Sequence, residues 1–413
     1  MTNKNRRVEH HRLKRWLVFR GCDPLKSLTR EKPRETRRSV SALTNHPAPL
    51  LEAVVSLRQE MMTPMLVLAA LATGACWAAA PSGRTIVDMA GRSVTVPSTI
   101  RSVYSTSPMG EVMIYTLAPG KITGTTWNPS ADERRFLVNE YNKKPVLGGW
   151  FGKNTTGNPE VIIKAKPDIV LSIGYLDKTD ISAAERIERQ LGTPVVMVDG
   201  RLNSLDTSYR FVGGLIGEQR RADTLARYCR QTLDTVAAVT ASVQMQKRVR
   251  VYYAEGLSGL ETDPKGSMHA EVLDMVGGVN VADVPIVRGY GRAAVSLEQL
   301  LLWKPEMIIV QVDHGFAHGT ENFAKIMADP TWQNLDAVKN KRVYEIPSLP
   351  FGWFDRPPSV NRIIGLRWLA NLLYPDRMKL DMRADTRRFY ALFYFKKLND
   401  TECAELLDRA LAH

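Results

Sequence analysis

From Arg84 to the C-terminus, short apolar runs alternate with longer stretches in which apolar residues recur every three or four positions, the pattern of strands separated by helices. "TIVDMAGRSVTVP" keeps a two-residue apolar period on either side of Ala90-Gly91, which predicts a small hairpin. "SVYSTSP", "KITGTTW", "PDIVLSIG" and "PVVMVDG" are apolar or β-branched runs that end in polar or Gly-containing loops, with helical periods between several of them. Such alternation predicts an α/β unit around a mainly parallel sheet. A second unit repeats the scheme. "RVRVYYAEG", "EMIIVQVDHG" and "KRVYEIPSL" predict strands, and "SMHAEVLDMVGG" and "LEQLLLW" predict helices, the former stopped by Gly277 and Gly278. Between the units, residues 219 to 243 place Leu225, Tyr228, Cys229, Leu233, Val236 and Val239 at helical spacing without Pro or Gly. At 1.5 Å per residue this makes a helix of roughly 36 Å. The expected fold is α/β, with two Rossmann-like lobes joined by a single long helix and a ligand cleft between the lobes. A connector of that kind bends little. The expected segments are a first lobe over residues 84–205, a helical connector over 206–246, a second lobe over 247–375 and a C-terminal helical segment over 376–413.

One unit occurs twice. "NPEVIIKAKPDIVLSI" (residues 158–173) and "VSLEQLLLWKPEMIIV" (residues 295–310) each carry a Glu, then a Lys-Pro-acid corner six residues on, then an apolar strand. In both, the Glu opens a short helix, where the helix dipole favours a carboxylate, and Pro167 or Pro305 blocks its continuation. Alone, each is a routine first-turn Glu worth a few tenths to about 1 kcal/mol. As a pair, Glu160 and Glu298 read as matched anionic knobs, one per lobe, which suit a two-fold symmetric partner.

Composition adds limits. The 413 residues are 44% apolar and 24% charged, an ordinary globular balance with room for two cores. The net charge is +13, but residues 1–60 hold 14 Lys/Arg against 6 Asp/Glu, leaving 42 against 37 for everything else. The basic excess lies in a Pro-containing leader and not on a folded face, so nucleic-acid binding is not supported. "MMTPMLVLAALATGACWAAAPSG" (residues 61–83) is too short an apolar run to span a bilayer, which takes about 20 residues. It ends in Ala78, Ala79 and Ala80, the small side chains a signal peptidase accepts, and reads as an export signal over 61–80 that delivers the chain to the periplasm. Because a signal should begin a chain, its position predicts a translation start nearer Val54 to Met62, with residues 1–60 a basic leader. Cys76 offers a lipid-anchor alternative, disfavoured by Thr73 where lipoproteins prefer a Leu-like residue. Beyond Ala80 only Cys229 and Cys403 remain; they form no metal-ligand spacing, and buried free thiols are expected.

The candidate chemistry lies in loops at the carboxyl ends of the strands, where open α/β sheets bind ligands. The first lobe offers "TSPMGE" (Ser107 to Glu111), Trp127, Trp150 with Phe151, and Tyr175; the second offers "AEGLSG", Arg288, Tyr290, Arg292, His314, His318, Trp353, Phe354 and Arg356. Arg pairs with the anionic oxygens of a ligand, and Trp and Tyr cover its apolar parts. Against each Trp stands the fact that a Trp beside a Gly-rich loop is more often core. The Arg pair around Gly289-Tyr290-Gly291 is a better candidate. His314 is a candidate metal contact, but "HGFAHG" reads as a loop, so it does not set His314 and His318 on one helical face. His269 in "KGSMHAEVL" reads as a first-turn helix residue. A bare metal site needs three or four convergent ligands, and none is seen.

"VDMAGRSVTVP", "PVLGGW", "NPEVIIKAKPDIVLS", the inter-lobe helix, "EVLDMVGGVNVAD" and "VSLEQLLLWKPEMIIV", in this order and spacing, resemble class III periplasmic substrate-binding proteins of ABC importers, which serve iron-siderophores, haem and cobalamin. The resemblance runs from about Arg84 to the C-terminus. It implies that Glu160 and Glu298 form salt bridges with Arg residues on the two copies of a homodimeric membrane permease, which works with its ATPase. It further implies a monomer with no cofactor of its own, whose cargo is an iron-siderophore or a related metal complex such as haem, cobalamin or a nickel complex. Exposed ion pairs contribute about 0 to 1 kcal/mol, so docking is expected to be transient and salt-sensitive. The competing reading is a two-lobed, transferase-like α/β enzyme acting on a small molecule in the cleft, since fold alone does not choose. Its signatures are missing: "VGGLIGEQ" lies in a helical pattern without the G-x-G-x-x-G spacing, and there is no G-x-x-x-x-G-K-[ST], G-x-S-x-G or H-E-x-x-H. Catalysis is not expected.

Overall fold

The computed structural model describes residues 83–151, 155–286, 292–312 and 321–411. The expected leader, the expected export signal with Cys76, and Arg288, Tyr290, His314 and His318 lie outside the described residues.

The expected hairpin pairs β1 (Gly83–Val87) with β2 (Ser93–Pro97) and turns through Gly91 at φ +79°. Asp88 pins it: its carboxylate accepts from the backbone N–H groups of Ala90 and Arg92 and, far along the chain, from that of Met197. The first lobe is a parallel sheet of β3 (Val103–Ser105), β4 (Ile169–Gly174) and β5 (Val195–Asp199), in that order. In the second lobe, β6 (Arg250–Ala254) is followed by the two-residue β7 (Glu261–Thr262), then β8 (Val279–Asn280), the two-residue β9 (Ala293–Ala294), β10 (Met307–Val310) and β11 (Val343–Glu345). Its parallel sheet has the order β11-β10-β6-β8, and β7 pairs with β9 beside it. Every residue of β5 and β10 is buried, which is why both read as unbroken apolar runs and not as alternating strands. "KITGTTW", expected as a strand, makes only two isolated bridges, Val103 to Ile122 and Thr125 to Val146. The Leu147 side chain packs against this segment so closely that it sits 2.5 Å from where a Cβ on Gly124 would lie.

The duplicated unit folds the same way twice. Asn158 Oδ1 caps helix Pro159–Ala165 by accepting from Glu160 and Val161 N–H, and Ser296 Oγ caps Leu297–Trp303 by accepting from Gln299 N–H. Each helix ends on a lysine in the left-handed region, Lys166 at φ +50° and Lys304 at φ +48°, with the proline next. The acid then reaches sideways. Asp168 accepts from the backbone N–H of Arg101 and Ser102, and Glu306 from that of Arg250, so each pins the entry of the neighbouring strand. The Lys-Pro-acid corner is thus a structural joint that fixes the direction in which the Glu160 and Glu298 helices project.

The connection from β5 to β6 is two helices, Leu205–Ile216 and Gln219–Ala241, separated by Gly217 at φ +80°. The second buries Leu225, Tyr228, Cys229, Leu233 and Val236, the face expected from the sequence, and ends two residues early. It does not act alone. The C-terminal helices Met382–Phe393 and Asp400–Leu407 form a strap that touches both lobes. On the first-lobe side Tyr115 Oη donates to Tyr394 O at 3.3 Å, and Arg135 grips Glu405 with two bonds of 2.9 and 2.6 Å. On the second-lobe side Trp368 Nε1 donates to Ala410 O at 2.7 Å and Arg409 to Glu345 at 3.2 Å. One apolar core accordingly runs from Leu171 of β4 through Tyr228, Phe389 and Tyr394 to Ile309 of β10. Cys229 and Cys403 are buried and free. Among the described residues no helix is long and apolar enough to cross a membrane.

Helix Asn361–Leu373 lies so close under the loop at 347–360 that a Cβ on Gly365 would fall 1.8 Å from Trp353 O. Gly365→Ala is therefore expected to destabilise the protein by about 3 kcal/mol or more, because backbone and not a flexible side chain must yield. An unchanged urea midpoint would show that the loop has room to move.

Candidate functional site

Three buried carboxylates meet at the carboxyl end of the second sheet. Glu255 follows β6 directly, Asp263 follows β7, and Asp355 comes from the loop after β11; none has any solvent exposure. Buried charges of one sign demand partners. Arg356 supplies the first: Nε donates to Glu255 Oε1 at 2.9 Å and Nη2 to Asp263 Oδ2 at 2.8 Å, with Asp355 Oδ2 at 3.4 Å from Nε. Burial opposes its charge, but Asp355 and Glu255 outweigh this and hold the guanidinium well above its ordinary range. Arg292 donates to the same Glu255 oxygen at 2.9 Å. Ser267 Oγ donates to Asp263 at 3.1 Å, and His269 Nδ1 lies 2.7 Å from both oxygens of Asp355.

Even so, negative charge is in excess. Burial pushes the Glu255 carboxyl up to about 8, opposed by Arg356 and Arg292 and reinforced by Asp263. Glu255 Oε2 is buried without a partner; a proton there can donate to Asp263, leaving two negative charges against two guanidinium groups.

The first lobe closes on this cluster through a polar seam. Arg362, almost fully buried, donates to Glu271 Oε2 at 2.6 Å and across the lobes to Gly200 O at 3.0 Å, while Leu202 N–H donates to Glu271 Oε1 at 3.3 Å. Tyr175 stands half-buried beside the seam. Burial, then the Glu271 charge, pushes its phenol up to about 12, and Asp355 adds to the effect, which sets the ring within electrostatic reach of the second-lobe cluster. Trp127 crosses the lobes as well, meeting Phe351 edge-on at 5.2 Å between ring centroids.

Behind Trp127 lies a feature that the sequence did not signal. In "TSPMGE" only Thr106 and Ser107 precede helix Pro108–Leu117; Glu111 is not a loop residue but a wholly buried helical one. Its Oε2 accepts from Thr126 N–H and Oγ1, both at 2.6 Å, and its Oε1 accepts from Tyr141 Oη. No cation is among its partners in the described residues, and burial pushes the carboxyl up to about 7. Glu111 thereby fixes the backbone immediately before Trp127.

The other expected residues divide. Arg292 and Arg356 join the cluster. Trp150 is half-buried, edge-on to Tyr104 at 6.3 Å, and with Trp127 it flanks a first-lobe surface where Trp127, Phe151, Asn158 and Val161 line an open depression of about 470 Å³. That depression is lined by first-lobe residues only and does not reach Arg356. Trp353 is corrected: it has no exposure, and its indole donates to Tyr390 Oη at 3.4 Å within the core, so the C-terminal strap, and not a ligand, covers it. Phe354 is likewise buried, its ring tilted against that of Tyr253. Glu160 and Glu298 are both exposed in the first turns of their helices, and backbone N–H and Ser296 hold the Glu298 carboxyl below its ordinary range. Exposed Val161, Ile163, Leu301 and Leu302 flank them. Glu255 lies in "AEGLSG", one of the loops expected to offer chemistry, but the sequence singles out neither it nor Asp263 and Asp355; His269, expected in the first turn of a helix, lies in a 3-10 turn, Met268–Ala270. An acid directly after the strand "VRVYYA" was the one local signal for Glu255.

A periplasmic binding protein family profile matches residues 120–350. Among solved structures, an ABC transporter solute binding protein from Sulfurospirillum deleyianum superposes with a TM-score of 0.72 at 30% identity, covering 79% of this chain and 99% of that one. The molybdate-binding protein MolA of Haemophilus influenzae is 26% identical over 333 residues, 75% of this chain and 91% of that protein. A vitamin B12-binding protein of Salmonella choleraesuis is 29% identical over 241 residues, 57% of this chain and 78% of that protein. These are solute receptors and not enzymes, which removes the transferase reading. With its two parallel sheets, helical connector and matched Glu-bearing helices, the chain belongs to the class III periplasmic binding proteins of ABC importers.

Proposed function

We propose that this protein captures an anionic metal chelate between its lobes, with an iron-siderophore as the leading candidate and haem, cobalamin or a nickel complex of the same chemical kind, and delivers it to a permease homodimer and its ATPase. The Arg356–Arg292–His269 cluster carries the reading. The Arg356 guanidinium keeps 28% side-chain exposure while buried carboxylates fix its position, so a cationic edge is presented to oxygen donors, with the Arg292 guanidinium held beside it on the same Glu255 oxygen. Tyr175 and Trp127 offer the first lobe's contribution, with Trp150 at its margin; Arg288, Tyr290 and His314 remain in the proposed set. The relatives named for molybdate and vitamin B12 bind a metal oxyanion and a metal complex, which supports a metal-containing cargo. Intrinsic fluorescence is the test, since Trp127 sits at the junction of the lobes. Saturable quenching at micromolar or lower concentration by a ferric siderophore, haem, cobalamin or nickel-histidine is expected. A response to molybdate alone would reassign the cargo to a bare oxyanion, and silence across the panel in folded protein would reject the receptor reading.

Delivery supplies a second test. The exposed Glu160 and Glu298, each with apolar neighbours on a helix aimed by the same corner, suit two identical permease subunits, and a periplasmic location fits the export signal over 61–80 better than the Cys76 anchor. Reversing both to Lys is expected to reduce cellular uptake to the level of a permease-deficient strain while the fluorescence titration stays unchanged. Full uptake by the double variant would refute the docking role.

A further inference from the structure

We infer that His269 is a direct ligand to the cargo's metal, so that the cargo is a chelate with at least one open coordination position. The inference rests on the receptor reading and narrows it.

It starts from the two nitrogens of one ring. Both oxygens of the fully buried Asp355 lie 2.7 Å from Nδ1, which fixes the tautomer with its proton on Nδ1. In the neutral ring Nε2 is then a bare lone pair. It has no hydrogen-bond partner among the described residues, and the side chain keeps 19% exposure, so the ring is neither sealed in the core nor free in solvent. A carboxylate behind an imidazole is the outer-shell arrangement that orients a metal-binding histidine and raises its basicity. Asp355 and Arg356 are consecutive, so one short stretch both aims the imidazole and sets a guanidinium beside it, where a chelate would present metal and anionic oxygens together.

A resident ion is a different matter. Asp263, His269 and Asp355 each offer a donor atom, all within 4.8 Å of one another. Arg356 already donates to Asp263 and lies against Asp355, so a cation occupies that end of the cluster. What remains outward-facing is one imidazole nitrogen. One donor is too few to hold a bare ion, which takes three or four, but it is enough to complete the shell of a metal that arrives with the rest. A hexadentate complex, or an oxyanion with its shell closed, would gain nothing from it.

The test uses the full chain and four probes. Haem and iron(III)–nitrilotriacetate leave coordination positions open; iron(III)–desferrioxamine B and molybdate do not. Binding is followed by tryptophan quenching and by the optical spectrum of the iron. An open probe is expected to bind tightest and to show an imidazole-dependent spectral change. His269→Gln, which replaces the imidazole nitrogen by an amide without a nitrogen lone pair to give a metal, should weaken that probe at least tenfold, abolish the spectral change and weaken closed probes far less. Asp355→Asn should weaken it 10- to 100-fold; if that variant fails to fold, His269→Gln decides the matter. Tightest binding by a closed probe, or an open probe bound by His269→Gln with unchanged affinity and spectrum, would overturn the inference while the receptor reading stands. Binding of none of the four overturns this inference, and the wider fluorescence panel then decides the receptor reading.

Discussion

Arg356→Met is expected to destabilise the protein by about 3–5 kcal/mol at pH 8, the usual consequence of removing one partner from a buried ionic group. The side chain it removes neutralises Glu255, Asp263 and Asp355 at once, and none of the three can reach water. Met has a similar shape, so little of the loss is cavity formation. The effect should shrink at pH 5. Glu255 already titrates at about 8 in the folded protein against an ordinary 4.5, and with Arg356 gone its proton is held more tightly, so acid neutralises what the arginine no longer does. Urea unfolding at the two pH values measures both. A loss below about 1 kcal/mol at pH 8 would mean that water enters the cluster, and ligand binding by Arg356 would then need another explanation.

The second large effect concerns Glu111. Its carboxyl is raised from 4.5 to about 7 by burial, so the folded protein holds this proton more tightly than the unfolded chain. The associated stability is complete below about pH 4.5 and is lost as the pH rises through 7, by roughly 3 kcal/mol as an upper bound at about 1.4 kcal/mol per pKa unit. Wild type should therefore become more stable from pH 8 down to pH 5.5, against the common trend of acid destabilisation. Glu111→Gln, which can still accept from Thr126 and donate to Tyr141, should be more stable than wild type at pH 8 and show a shallower pH slope, with Glu255 supplying the residue. Identical pH profiles for the two proteins would show that Glu111 is not the proton acceptor. Trp127 follows Thr126 directly, so its fluorescence should shift over the same pH interval.

Much of the scaffold was legible because its signals are local. Strand runs, the Gly277 stop and the Lys-Pro-acid corner each act within a few residues of themselves, and the connecting helix carries its buried face in its own periodicity. What was misread depended on distant packing. Trp353 has the same Gly and aromatic neighbours as a binding-loop tryptophan; only the strap formed some 40 residues later covers it. The charged cluster is harder still. Arg356 lies 101 residues from Glu255 and 93 from Asp263, and His269 lies 86 from Asp355, so no spacing rule could assemble them. Glu111 was visible as an acid after a strand, but its burial depends on Thr126 and Tyr141 folding over it.

The C-terminal strap has a temporal side. Tyr115 completes its environment against Tyr394, 279 residues downstream, and Arg135 finds Glu405 only 270 residues later. A chain emerging from its N-terminus can form the strands of the first lobe early, yet their core stays open until nearly the whole polypeptide is present. Closure over such separations is slow. Late closure of this kind suits the periplasmic location of the family, and the last segment to arrive is the one that seals the first-lobe core.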